Sequence, residues 1–297
     1  MLKSIRMSGR SIVWMAAVGV CLLSTASSFA AKPIKIKKCE SVTTLEKCVL
    51  KVCLYPGFKP FTWQENGAWS GWDVDYLKKF AGQYDFTFQA VRIPDFKGIW
   101  ILPGAADAKC DIAASGISDI PARRNESPST VWSKWYYNVD RSFLVRSGNT
   151  LNSIDDLKGK KVTVIVTKDS TADTDLQYRM QLAGKDNFSG VTIAYTDQEE
   201  KAAKSVHDGT AFAYGGGYGS NAVLAQADHT LKVTWAHCNM VKVGNGFKEY
   251  SEPFSFVVRS KDTGLSKALD SYINPKHPYP GTKNPDKPHC DPPKPSK

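Results

Sequence analysis

Apolar and polar positions along the chain fall into short runs of two kinds. Residues 51–55 and 111–115 are brief, nearly unbroken apolar stretches, while residues 85–93 alternate with the period of a half-exposed strand. Between them Val74, Leu77, Phe80 and Ala81 recur at helical spacing up to Gly82, and Asp73 is placed to cap that helix. Residues 99–108 predict a short helix interrupted at Pro103-Gly104, and residues 58–69 an aromatic-rich loop that turns at Asn66-Gly67. The order strand, helix, strand, helix, strand is that of a mostly parallel sheet with helices on its faces.

A second series of the same kind begins after Asp155-Asp156. It predicts strands at 161–166, 191–195 and 211–214 and helices at 171–183, 199–207 and 220–227. One further strand (254–259) and helix (265–273) are too few for a third domain, so they are read as a return that completes the first lobe. The expected organisation is residues 49–147 plus 250–273 as lobe 1 and 148–249 as lobe 2, with two crossings between them. From Asn274 onward the composition changes: half of the sixteen prolines lie there with lysines between them, which predicts a solvated, extended tail over 274–297.

The first thirty residues read as an export signal, since Lys3, Arg6 and Arg10 precede the apolar run 12–23 and small residues follow at Ser28 and Ala30. Residues 31–48 form an N-terminal extension in this scheme, and no later stretch approaches the roughly 20 apolar residues of a membrane span. Removing the three signal cations takes the net charge from +10 to +7, with acids and bases interspersed and no basic block. No nucleic-acid partner is implied. Cys39, Cys48, Cys53, Cys110, Cys238 and Cys290 suit an oxidising compartment, where six cysteines allow fifteen pairings. Cys48 with Cys110 is the expected pair, because both precede strands placed side by side, and Cys238 with Cys290 is a second that would pin the tail. The five histidines are scattered and none stands with a cysteine in a metal-finger pattern, which argues against zinc. Nucleophile-elbow, phosphate-loop and metal motifs are missing, so no cofactor is expected.

A set of ordered fragments resembles a known family. Lys59-Pro60-Phe61-Thr62, Gly71-Trp72-Asp73-Val74-Asp75, the run from Cys110 to Ser118 with Pro121 and Arg123, the segment from Asp155 to Val162, and the strand from Phe254 to Arg259 together look like the polar amino-acid type of bacterial extracellular solute-binding proteins. The resemblance implies an α/β, two-lobed periplasmic-binding-protein-like fold with two hinge crossings and a ligand in the cleft, where open sheets place it.

On that resemblance Arg123 falls at the family's carboxylate-binding arginine, a planar fork able to give two parallel charge-assisted hydrogen bonds. Its neighbour Arg124 is the competing choice. Ser115, Gly116 and Ser118 follow a strand and present amides and hydroxyls. Phe58 falls at the aromatic that stacks on the ligand, with Trp63, Trp69, Trp72 and Trp100 near enough to enlarge that wall. Ser170 and Thr171 open a helix whose free amides favour an anion. The position at which the family carries an aspartate for the ligand's ammonium is Gly217 here. That substitution predicts a ligand without an ordinary α-ammonium, unless Asp119, Asp169 or Asp173 supplies the charge or rings such as Tyr214 and Tyr218 meet the cation. The function expected is a non-enzymatic, monomeric periplasmic receptor that delivers a small solute to an ABC permease. A dehydratase-like enzyme and a sensory or adhesin-like protein on the same fold are the alternatives; no candidate carboxylate stands at the second-lobe position where catalysis would be expected to place one.

Overall fold

The computed structural model describes residues 37–280. The expected export signal, the chain beyond Pro280 and Cys290 lie outside these described residues. Strand β1 (Val49–Leu54) buries Leu50, Val52, Cys53 and Leu54 completely. It is followed by a small antiparallel sheet of β2 (Gly57–Phe58), β3 (Thr62–Glu65) and β4 (Ala68–Ser70), where a loop was expected. The turn signal was read correctly: Asn66 and Gly67 take φ of 50° and 80°, the left-handed pair that closes a two-residue hairpin, and so the flanking residues pair.

Helix α1 (Trp72–Gln83) packs Val74, Leu77, Phe80 and Ala81 into the core. Its N-cap is Gly71, and Asp73 makes no capping bond. Strand β1 lies between β5 (Thr87–Arg92) and β6 (Ile112–Ala113), parallel to both, with a 3-10 turn (Ile99–Gly104) between β5 and β6 in sequence. Helix α2 (Pro121–Glu126) and strands β7 (Thr130–Trp132) and β8 (Tyr137–Val139) follow.

The chain then enters the second lobe with β9 (Arg141–Arg146). Its apolar centre, Phe143-Leu144-Val145, is fully sandwiched between neighbouring strands, which moves the first crossing to Asp140, ahead of the expected boundary after residue 147. Strand β10 (Val162–Thr167), helix α3 (Thr171–Leu182), strand β11 (Val191–Thr196), helix α4 (Glu199–His207), strand β12 (Ala213–Gly217) and helix α5 (Tyr218–Ala227) form the α/β body. Strands β13 (Leu231–His237), β14 (Asn239–Val243) and β15 (Gly246–Tyr250) were not foreseen; their mixed polar composition hides the pairing. The return is made by β16 (Glu252–Phe254), β17 (Val257–Arg259) and α6 (Thr263–Tyr272).

The result is two five-stranded sheets, β5-β1-β6-β17-β7 and β11-β10-β12-β9-β13, each with a parallel centre and antiparallel returns. Alternation along β10 explains the covering of both faces of the second sheet. Val164 and Val166 pack under α3 with Leu176, whereas Ile165 points to the opposite layer with Val206, Tyr214 and Leu224. The only strands that join the lobes among the described residues are β8 and β16, which pair antiparallel, Val139 opposite Glu252.

Two disulfides close the amino-terminal part, Cys39 with Cys48 and Cys53 with Cys110. The expected Cys48–Cys110 pair is therefore incorrect. Cys48 sits before the strand at φ 58°, turned back toward Cys39, and Cys53 inside β1 is the residue that lies beside the entry to β6. Cys238 is also disulfide-bonded.

The tail does not leave the molecule at Asn274, as its composition suggested. Tyr279 is buried against Trp72, Tyr76, Tyr136 and Tyr137, and its hydroxyl donates to Asp73 Oδ1. Asp73 Oδ2 accepts the backbone N–H groups of Ser115 and Gly116 at 2.8 Å each and the Tyr136 hydroxyl at 3.1 Å. Burial pushes the Asp73 carboxyl up and these four donors pull it back. Tyr279→Phe leaves Oδ1 without its donor in a buried setting and is expected to cost about 1–3 kcal/mol. Urea unfolding checks this; an unchanged midpoint contradicts the contact.

Candidate ligand-binding site

The carboxyl ends of the central strands of both sheets face a small common cavity. Lobe 1 contributes Tyr55, Phe58, Phe96, Gly116, Ser118 and Arg123 to its wall; lobe 2 contributes Thr167, Ser170, Thr171, Glu199, Tyr214 and Gly217; Arg141, Glu252 and Phe254 come from the crossings. Seven of the nine residues singled out from sequence line it: Phe58, Gly116, Ser118, Arg123, Ser170, Thr171 and Gly217. The other two stand behind the wall. Trp100 stacks beneath the Arg123 guanidinium at 4.4 Å and donates its indole N–H to Glu126. Ser115 is fully buried, with its hydroxyl oxygen accepting the Tyr55 N–H at 2.9 Å. Its position immediately after a strand could not tell lining from support.

Gly116 explains why the aromatic wall is tight. It takes φ +58°, and a Cβ there would come within 2.6 Å of Phe58 and 2.8 Å of Phe254. A second glycine, Gly217, ends β12 with its Cβ direction 3.0 Å from Val139 on the hinge strand, so a larger side chain at that place must displace Val139.

The two adjacent arginines separate cleanly. Arg124 is bound twice by Asp119, at 2.5 and 2.7 Å, and is partly exposed. Arg123 is 4% exposed, lies over Phe96 and Trp100, and has only the Ser118 carbonyl as a hydrogen-bond acceptor, at 3.4 Å, among the described residues. Burial lowers its pKa to about 10, with Glu252 opposing that shift, and it remains cationic at neutral pH.

Three charged residues of the cavity were not foreseen. Arg141 Nη2 pairs with Glu252 Oε1 at 2.5 Å, and both side chains are almost fully buried. The same Oε1 accepts the hydroxyls of Ser118, from lobe 1, and Thr171, from the start of α3 at 2.9 Å. Glu252 Oε2 is buried without a hydrogen-bond partner. Glu199, the first residue of α4, accepts the Tyr214 hydroxyl on Oε1 at 2.8 Å, and its Oε2 is likewise buried and unpartnered. Burial, the leading cause, raises its pKa to about 8, and Glu200 adds to the rise. Glu199 is a second-lobe carboxylate on the cavity that the sequence reading did not single out. The three aspartates suggested as substitutes do not line the cavity: Asp119 is engaged by Arg124, Trp135 and Ser255, Asp169 by Lys97, and Asp173 by Gln177. Of the two tyrosines suggested for a cation, Tyr214 lines it and Tyr218 does not.

Contacts between lobes surround this chamber. The Tyr55 hydroxyl donates to the Asp197 carbonyl, the Ser220 hydroxyl donates to the Lys59 carbonyl at 2.5 Å, and Lys59–Glu200 and Lys97–Asp169 pair at 3.0 and 3.2 Å. The lobes are closed over the site. Among the described residues no group of side chains has the makings of a metal site, and no helix is long and apolar enough to cross a membrane.

Residues 50–275 match the bacterial extracellular solute-binding proteins, family 3, and the chain belongs to that family. A probable histidine-binding protein of Campylobacter jejuni is 30% identical over 126 residues, 42% of this chain and 46% of that protein. The probable amino-acid-binding protein YxeM of Bacillus subtilis is 25% identical over 156 residues, 52% of this chain and 54% of that one. The chain thus spans about half the length of these curated relatives. Among solved structures, the ancestral amino-acid-binding protein AncCDT-1, a precursor of cyclohexadienyl dehydratase, shares the fold with a TM-score of 0.58 at 22% identity, over 76% of this chain and 88% of that chain.

Glu199 generates a stability prediction. Its folded pKa lies above that of an unfolded glutamate, so the folded chain binds the extra proton and stability falls as pH rises from about 4.5 toward 8. Glu199→Gln, which keeps the side chain neutral, is expected to melt higher than the parent at pH 8.5, with the gap closing by pH 5. Paired thermal melts at the two pH values check it, and a gap that does not change with pH contradicts it.

Proposed function

We propose that the protein is the periplasmic substrate-binding component of an ABC importer and encloses an amino acid, or a closely related small solute, between its lobes. The observation that carries this reading is Arg123. A buried guanidinium, backed by two aromatic rings and bonded only to a carbonyl, has its donor fork available for a carboxylate. The start of α3 places its amino-terminal end, at Thr171, on the same cavity, while the Ser170 amide is bonded to the Thr167 carbonyl at 3.2 Å. The two curated relatives, described as histidine-binding and amino-acid-binding, support the ligand class. Ligand entry requires the interlobe contacts to part about the β8–β16 pair, and the chamber is small enough for closure to select ligands by size.

A catalytic reading of the same site rests on one observation, the Glu199 carboxyl whose raised pKa suits a general acid or base. Incubation of purified protein with the solute it carries, followed by mass analysis, separates the two: a receptor returns the solute unaltered.

Native mass spectrometry of the purified protein identifies a co-purifying solute. Calorimetry with that solute is expected to show that Arg123→Ala loses about 3 kcal/mol of binding, as when a buried charge loses its partner, whereas Arg124→Ala loses under about 1 kcal/mol. Equal losses at the two positions contradict the assignment.

A further inference from the structure

The proposed carboxylate clamp accounts for one end of a ligand and leaves two features of the cavity unused. Glu252 and Glu199 are 2% and 3% exposed, both line the cavity, and each keeps one carboxylate oxygen with no hydrogen-bond partner. Buried carboxylate oxygens without donors are costly, so a site that holds two of them in one small chamber is built to receive donors from elsewhere. The Oε1 atoms take Arg141, Ser118, Thr171 and Tyr214, whereas neither Oε2 has a hydrogen-bond partner among the described residues; the Ser220 hydroxyl, which also bears on Glu199, donates to the Lys59 carbonyl. Gly217 cannot be the acidic position without displacing Val139.

Resting on the receptor reading above, we propose that Glu252 and Glu199 receive the ammonium of a zwitterionic α-amino acid whose carboxylate meets Arg123. Glu252 is paired with Arg141. Glu199 is the titrating one. The groups that face it are Tyr214 on β12, Ser220 on α5, Glu200 on α4, Arg141 on β9 and Tyr55 just after β1. In the empty site burial keeps its carboxyl protonated up to about pH 8, and an arriving ammonium favours the ionised form. At pH 7 binding therefore releases a proton from Glu199, and affinity for an amino acid rises between pH 6 and 8. A ligand with the carboxylate alone shows the reverse, because ionised Glu199 repels it. This reverses the expectation, drawn from Gly217, that the ammonium goes unmet.

The test uses the full chain, stripped of solute by reversible denaturation, and matched pairs of probes that differ only in the ammonium: L-histidine and imidazolepropionate, L-arginine and guanidinovalerate, L-phenylalanine and phenylpropionate, L-alanine and propionate. Calorimetry is run at pH 6, 7 and 8 in buffers of different ionisation enthalpy. The expected result is at least one pair in which the amino acid binds a hundredfold or more tighter than its partner and releases a proton at pH 7. In that pair Glu252→Gln shrinks the preference at least tenfold, and Glu199→Gln removes the proton release while binding persists. Should Glu252→Gln fail to fold, the Glu199→Gln calorimetry alone decides. A pair bound equally well with and without the ammonium, or proton release unchanged in Glu199→Gln, overturns this assignment and leaves the receptor reading in place. Binding of no probe from any pair overturns both.

Discussion

One carboxylate oxygen, Glu252 Oε1, holds the two lobes and their crossing in a single hydrogen-bonded knot. It lies on the return strand β16, takes Arg141 from the first residue of β9 after the other crossing, takes Ser118 from the loop after the lobe 1 strand, and takes Thr171 from the start of a lobe 2 helix. Arg141 also donates from Nη2 to Thr171 at 2.5 Å and from Nε to Asn239 at 3.3 Å. Replacing a buried ion pair with apolar groups is often neutral, whereas removing one partner leaves a charge stranded at a cost of about 3–5 kcal/mol. The pair is thus better understood as a fixture of geometry than as a source of stability. It sets where Ser118 and Thr171 stand, and those two residues face each other across the cleft only when the lobes are shut.

A second buried carboxylate, Asp73, does for the floor of the site what Glu252 does for its closure. Its oxygens fix the amides of Ser115 and Gly116, and Gly116 in turn is the place where Phe58 and Phe254 come together. Tyr279, two hundred positions along the chain, completes that arrangement from the carboxyl-terminal segment. The ligand-facing surface therefore depends on a residue in a stretch whose composition promised only solvent. Proline and lysine content argued that no core could form within the segment, and said nothing about whether one tyrosine of it could join a core already formed.

The same distinction separates what was legible in the sequence from what was not. Elements with strong periodicity, such as α1, β10 and α4, were readable because their apolar positions declare a face. Arg123 was singled out because it falls where the resembled family carries an arginine, and Arg124 is set apart from it by its bonds to Asp119. Glu199 was hidden by a reasonable local account, since an acid in the first turn of a helix complements the helix dipole wherever the helix lies. Only the packing of α4 against β12 turns that side chain inward, onto Tyr214. Arg141 and Glu252 were hidden differently: each stands at a strand end, and their partnership joins residues more than a hundred positions apart. Cys48 and Cys53 show the limit at its finest. Both lie near one strand, and the choice between them for Cys110 is decided by which is inside the strand and which is at a left-handed turn before it.

The position of Glu252 gives the proposed ammonium site a property that an acid at Gly217 would lack. A carboxylate on the body of lobe 2 would meet the cation wherever that lobe happened to be. Glu252 instead sits in the hinge pair itself, opposite Val139, and is bonded to both lobes at once through Ser118 and Thr171. On the proposed reading, a cation drawn to Oε2 adds charge compensation to the carboxylate whose other oxygen fastens the lobes. The ligand's carboxylate, on Arg123, and its cation, on the hinge, are then gripped together only in the closed geometry. Differential affinity for the closed state is what a ligand needs in order to shift a two-state equilibrium toward it. Here that difference is concentrated in one residue, so recognition of the cation and closure of the cleft become the same event.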